Sequence, residues 1–137
     1  MVRELIHDPI LLSRPSREAG SADLQIAEDL LDTLKAHAQT CVGMAANMIG
    51  EFVRVIAFNC DGKYMVMLNP EIIKAEGEYH TEESCLSLLG GSRKTRRFQK
   101  IKIRYQTENL QVRLKTFTDW TAQIIQHEID HCNGILI

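Results

Sequence analysis

The chain has no apolar run approaching the roughly 20 residues that a membrane-spanning helix needs, and Met1 to Pro9 contain no apolar core of the kind a secretory signal carries. Both absences point to a cytoplasmic protein with no membrane partner. An excess of charge is missing too: a formal net charge of -2 gives no global attraction to nucleic acid or anionic membrane. The 4 cysteines, Cys41, Cys60, Cys85 and Cys132, have no CxxC spacing, which in a reducing compartment reads as free thiols or metal ligands rather than disulfides. No repeat, low-complexity tract or interdomain linker interrupts the 137 residues, so one domain spanning 1–137 is expected, with 45% hydrophobic content to build its core.

The first 20 residues are irregular, punctuated by Pro9, Pro15 and Gly20. Ser21 then offers an N-cap, and Leu24, Ala27, Leu30, Leu31, Leu34 and Ala38 recur at helical spacing, predicting an amphipathic helix to about Ala38. The runs 52–58 and 64–69 are rich in β-formers and flank Asp61-Gly62, a hairpin signal. Lys100 to Tyr105 alternates cleanly and can pair with 111–117, while the basic run Ser92 to Arg97 reads as a solvated loop. Thr118 can cap a second helix on which Trp120, Ile124, His127 and His131 share one stripe. Leu136-Ile137 can close a short terminal strand. The expected fold class is therefore α+β, mostly antiparallel sheet around a central helix.

That helix carries Gln126-His127-Glu128-Ile129-Asp130-His131, an HExxH motif. His127 and His131 sit one turn apart on one face, so both imidazoles can reach one metal ion. Glu128 stands beside it, where a carboxylate can take a proton from water and later return it. A catalytic site of this kind needs a third protein ligand and an open position. Only six residues follow His131, so that ligand comes from upstream: His7, His37, His80, a carboxylate or a cysteine. Cys85 stands out because it lies in a polar segment, Glu82 to Ser87, between expected strands and beside Gly90-Gly91.

Three separated motifs together resemble the peptide deformylases, metalloenzymes that remove the N-formyl group from the initiator methionine of nascent bacterial polypeptides. The family's first motif, Gly-hydrophobic-Gly-hydrophobic-Ala-Ala-x-Gln, is approximated by Cys41-Val42-Gly43-Met44-Ala45-Ala46-Asn47-Met48. The second, Glu-Gly-Cys-Leu-Ser, is approximated by Glu83-Ser84-Cys85-Leu86-Ser87, and the third, Gln-His-Glu-x-x-His-x-x-Gly, is intact as Gln126 to Gly134. The likeness extends from about Ile6 to the end of the chain, including Leu68-Asn69-Pro70.

The resemblance implies that Cys85, His127 and His131 bind one divalent ion, Fe²⁺ by family habit with Zn²⁺ or Ni²⁺ able to replace it. Glu128 is then the general acid/base, and the backbone N–H of Leu86 helps hold the oxyanion. Val42, Gly43, Met48, Leu88, Trp120, Gln123 and Ile124 align with positions around the substrate, and Arg97 with an arginine near the peptide cleft. The implied substrate is a formylated peptide N-terminus or another small N-acyl group, on ribosome-associated nascent chains.

The sequence departs from the pattern at three places. Met48 replaces the glutamine that donates to the formyl oxygen, and a thioether cannot donate; losing one such donor costs about 10² to 10³ in rate. Asn47 has an amide, but an adjacent residue on an extended segment points the other way. Cys41 and Ser84 replace glycines, adding side chains near the cleft. The chain also lacks the C-terminal helix present in many deformylases. Two competing functions follow: a degenerate metal-binding homologue that binds peptide termini without efficient turnover, and an HExxH peptidase, which the missing downstream ligand disfavours.

Overall fold

The computed structural model describes residues 1–88 and 90–137. A short helix, α1 (Pro9–Leu12), and a 3-10 turn at Ser21–Asp23 lead into α2 (Leu24–Ala36). The strands β1 (Gly43–Ala45), β2 (Val55–Cys60), β3 (Lys63–Glu83), β4 (Arg93–Gln106) and β5 (Val112–Thr118) precede α3 (Asp119–Cys132). The strands form one antiparallel sheet in the order β1-β2-β3-β4-β5, so every neighbour in sequence is a neighbour in space. Among the described residues no helix is long and apolar enough to cross a membrane.

β2 shows how the sheet is built. Val55 and Ala57 face a core shared with Leu30 and Leu34 of α2, whereas Ile56 and Phe58 face a second core with Ile124, Ile125 and Ile129 of α3. Both faces of this strand are covered, which is why Val55-Ile56-Ala57-Phe58 is an unbroken apolar run rather than an alternation. The β2–β3 hairpin closes through Asp61 and Gly62, whose φ values of 51° and 90° are those a two-residue primed turn requires.

β3 is much longer than the run 64–69 suggests. Its register shifts between Leu68 and Glu71 and again between Ile72 and Lys74, and such bulges bend a strand. Asn69 sits at the first shift with φ 52°; its side chain accepts from Ala19 N–H at 2.7 Å and donates to Ala19 O at 2.9 Å and Gln106 Oε1 at 2.7 Å. Beyond it, β3 and β4 run on as a ribbon from Glu71↔Arg104 to Glu83↔Arg93. Positions 71–83 carry no long apolar run because most of their side chains are exposed. The ribbon's end brings Glu83 and the segment after it to α3.

Several local expectations are corrected. The basic run from Arg93 to Arg97 is the start of β4, not a loop, because it pairs with 79–83 of β3. Phe52 lies outside β2. Ser21 does not cap α2: Asp23 holds that position without a side-chain cap, its carboxylate accepting instead from the Gly20 N–H of the preceding turn at 2.9 Å. Thr118 occupies the N-cap position of α3 without a capping hydrogen bond. Leu136 and Ile137 form no strand, although Ile137 is buried.

Candidate active site

α3 places His127 and His131 on one buried face, with their Nε2 atoms 3.2 Å apart. Two nitrogens bound at about 2.0–2.1 Å to one tetrahedral ion stand about 3.3 Å apart, so the pair is spaced as ligands are. Cys85, just past the end of β3, completes a group whose three ligand atoms lie within 4.8 Å of one another. The other histidines are elsewhere: His7 Nδ1 meets Ser87 O at 3.1 Å, His37 Nδ1 meets Thr33 O at 2.9 Å, and His80 is exposed beside Glu78. One thiolate-forming sulfur and two imidazoles are a donor set suited to a divalent transition ion.

Electrostatics support that fit. Burial opposes a charge on His127, but Glu128, the Cys85 thiol and Glu83 outweigh it and lift His127 to about 10. Burial and the neighbouring His127 charge push His131 down to about 3. The two imidazoles thus carry one positive charge between them, and metal binding displaces the extra proton. Glu128 is 4% exposed, and its Oε1 has no hydrogen-bond partner among the described residues. Burial raises it to about 7, where a carboxyl can both accept and return a proton near neutral pH.

Glu128 has room only because residue 43 is glycine. A Cβ there would lie 2.8 Å from Ile124 Cγ2 and 2.9 Å from Glu128 Oε2. β1 therefore passes against α3 at a distance that no larger residue permits without displacing the carboxylate.

A second layer, which the sequence analysis did not single out, centres on Glu83. Its Oε1 accepts from His127 Nδ1 and from Arg97 Nη2, both at 2.7 Å; its Oε2 accepts from Arg97 Nε at 3.0 Å and Gln123 Nε2 at 2.9 Å. Burial alone would raise this carboxyl, but the His127 and Arg97 bonds hold it down to about 2. Arg97 also donates to Asp130 Oδ2 at 2.7 Å. Gln126 fastens α3 to β4: its Oε1 accepts from Phe98 N–H and its Nε2 donates to Phe98 O, each at 2.8 Å. Pairing with β5 begins only at Lys100, so the amide side chain replaces a missing strand partner. Buried polar residues inside an apolar helical pattern, and one buried arginine needing two acids, are the signals that point to this layer.

A cleft of about 500 Å³ opens over the site. Val42, Gly43, Met48, Leu86, Trp120, Gln123 and Ile124 line it. Two of the residues aligned with substrate-binding positions, Arg97 and Leu88, are not part of the cleft lining. Arg97 is only 4% exposed and does not itself line the cleft; a buried guanidinium needs paired charge, and it meets Glu83, which lines the cleft, and Asp130, which does not. Leu88 is buried and is not among the residues that line the cleft. Gln123 is half-buried at the cleft wall, and Glu83 and the Tyr79 hydroxyl, 3.2 Å from its Oε1, engage its amide.

Asn47 is corrected in its reason. It lies on a 3-10 turn, Ala46–Ile49, not on an extended segment, and its Nδ2 donates to His131 O at 3.0 Å. Cys41 lines the cleft with its thiol 2.9 Å from Gly43 O, and burial raises it to about 12. Ser84 points outward, exposed at the rim.

Residues 5–137 match the family model described as "Polypeptide deformylase". The chain is 44% identical over 137 residues to a peptide deformylase of Clostridium beijerinckii, covering all of both chains. It is 35% identical over 133 residues to one of Caldanaerobacter subterraneus subsp. tengcongensis, covering 96% of this chain and 82% of that one. In structure it resembles a Met-Ala-Ser-bound class I type b peptide deformylase of Acinetobacter baumannii, with TM-score 0.89, 26% identity and coverage of 99% and 96%. A Legionella pneumophila peptide deformylase superposes at TM-score 0.90, with 29% identity and coverage of 99% and 83%.

Proposed function

The chain belongs to the polypeptide deformylase family, and from that premise we propose how its own residues carry out the family's metal-dependent hydrolysis of formylated peptides. Cys85, His127 and His131 hold one divalent ion, with Fe²⁺ the resident metal and Zn²⁺ or Ni²⁺ able to replace it. The bound ion supplies Lewis acidity to the formyl group and to water.

Glu128 takes the proton of the attacking water on its carboxylate and returns it to the departing amine, so that formate and a free N-terminus leave. The Leu86 N–H receives the charge that develops on the formyl oxygen. Val42, Trp120 and Ile124 form an apolar wall for the methionine side chain beside these groups, and burial of the cleft floor keeps bulk water from Glu128. Glu83 holds the His127 ring by its Nδ1 and so leaves Nε2 for the metal. The substrates are nascent chains at the ribosome, in the cytoplasm.

The observation that carries this reading is the convergence of Cys85, His127 and His131 within 4.8 Å, with Glu128 buried beside them under one cleft. It favours a hydrolase over a homologue that binds without turnover. Metal content and formate release by wild type and Cys85→Ser test it. One metal per chain with formate release is expected from wild type, and a sharp loss of both from the variant; a variant that keeps both overturns the ligand assignment.

A further inference from the structure

Met48 is 1% exposed, lines the cleft, and has its Sδ 4.0 Å from Cys85 Sγ. A thiolate sulfur at about 2.3 Å and a more distant thioether sulfur on one tetrahedral ion stand about 4 Å apart. The thioether thus lies at ligand spacing from a residue of the metal group. Its placement is fixed by the main chain: the 3-10 turn Ala46–Ile49 is pinned by Ile6 N–H to Met48 O at 2.8 Å and by the Asn47 amide to His131 O at 3.0 Å. The turn that carries Met48 is therefore tied to the helix that carries both imidazoles.

We propose that Met48 Sδ is a fourth, exchangeable ligand of the ion held by Cys85, His127 and His131, an inference that rests on the metal-centre reading above. A thioether is neutral and binds weakly and at long range beside a Cys and two His ligands. It occupies the fourth position at rest and yields it to water or to the formyl oxygen, so the site stays hydrolytic. The donor set becomes two nitrogens and two sulfurs, one of them a thiolate. Such a set is softer than one with an amide side chain at position 48, and it shifts preference toward soft ions. Met48 is then a determinant of which metal the chain carries, as well as the residue that removes an oxyanion donor.

X-ray absorption on the Zn²⁺-loaded protein, without substrate, counts its sulfur ligands directly. Two sulfurs, one of them at the longer distance, are expected in wild type, and one in Met48→Leu. Competition between Zn²⁺ and Fe²⁺ for the same preparations gives a second readout: the ratio of affinities is expected to fall by about 10-fold in Met48→Leu. A fully loaded wild type with one sulfur, or a competition ratio unchanged by the substitution, overturns the inference while leaving the metal centre in place. A wild type that retains no metal overturns the metal-centre reading beneath it. The wild-type sulfur count needs no variant and holds even where Met48→Leu folds poorly.

Discussion

The carboxylate of Glu83 accepts a hydrogen bond from Nδ1 of His127 at 2.7 Å, joining the end of β3 to the ligand-bearing face of α3. That bond fixes which ring nitrogen of His127 faces the cleft. Arg97 and Gln123 hold the carboxylate in turn. Glu83→Gln keeps the shape but loses the charge and half of the acceptor capacity, and it should weaken metal affinity by about 10- to 100-fold. Chelator competition on the loaded protein measures this. Unchanged affinity would mean that the His127 ring is oriented by packing alone.

Arg97 joins Glu83 and Asp130 beneath the site, with its side chain 5% exposed. Arg97→Ala leaves two carboxylates without their cation, and breaking a buried pair costs about 3–5 kcal/mol. A lowered thermal midpoint, read by circular dichroism, is expected. Arg97→Lys should recover only part of the loss, because an ammonium cannot make the forked contact.

Gly43→Ala places a methyl group against Ile124 and the Glu128 carboxylate. The Glu128 carboxylate is the end of a flexible side chain and can move, whereas Ile124 Cγ2 is held by a stiff χ1, so the fold should persist while Glu128 is displaced. A misplacement of this size costs about 10² in rate. Steady-state kinetics beside a thermal melt separate the two effects, and a variant with full kcat would show that Glu128 tolerates the shift.

The parts of this architecture that follow local rules are legible in the sequence. The 3.6-residue recurrence in α2 and α3, the Asp61-Gly62 turn, and the one-turn spacing of His127 and His131 each depend on neighbours in the chain. What is not legible depends on distant partners. Outside the alternating run Lys100 to Tyr105, the long β3–β4 ribbon has too few apolar positions to register as strand, since its residues pair mainly through backbone and exposed side chains. Arg97 sits in a basic run that reads as solvated, and only the fold brings Glu83 and Asp130 to it. Cys85 stands out as a cysteine in a polar segment between strands, but only motif likeness ties it to α3, because a polar loop says nothing by itself about which helix it will meet.

Met48 stands where the family's motif has glutamine, and its thioether cannot donate to an oxyanion. Met48→Gln should raise kcat/KM toward formyl-methionyl peptides by about 10-fold or more. The gain is expected to fall short of a native donor's full worth because Cys41 and Ser84 also line the cleft. A folded, metal-loaded variant with no gain would place the oxyanion's stabilisation elsewhere.

Hydrolysis of a formyl-methionyl peptide by the metal-loaded chain, compared with Glu128→Ala carrying the same metal, tests the central claim most directly. Release of formate by wild type and its loss in Glu128→Ala, with metal content equal in the two proteins, is the predicted result, because Glu128 moves protons and binds no metal. Equal turnover by the two proteins, or none by a fully loaded wild type, would contradict it.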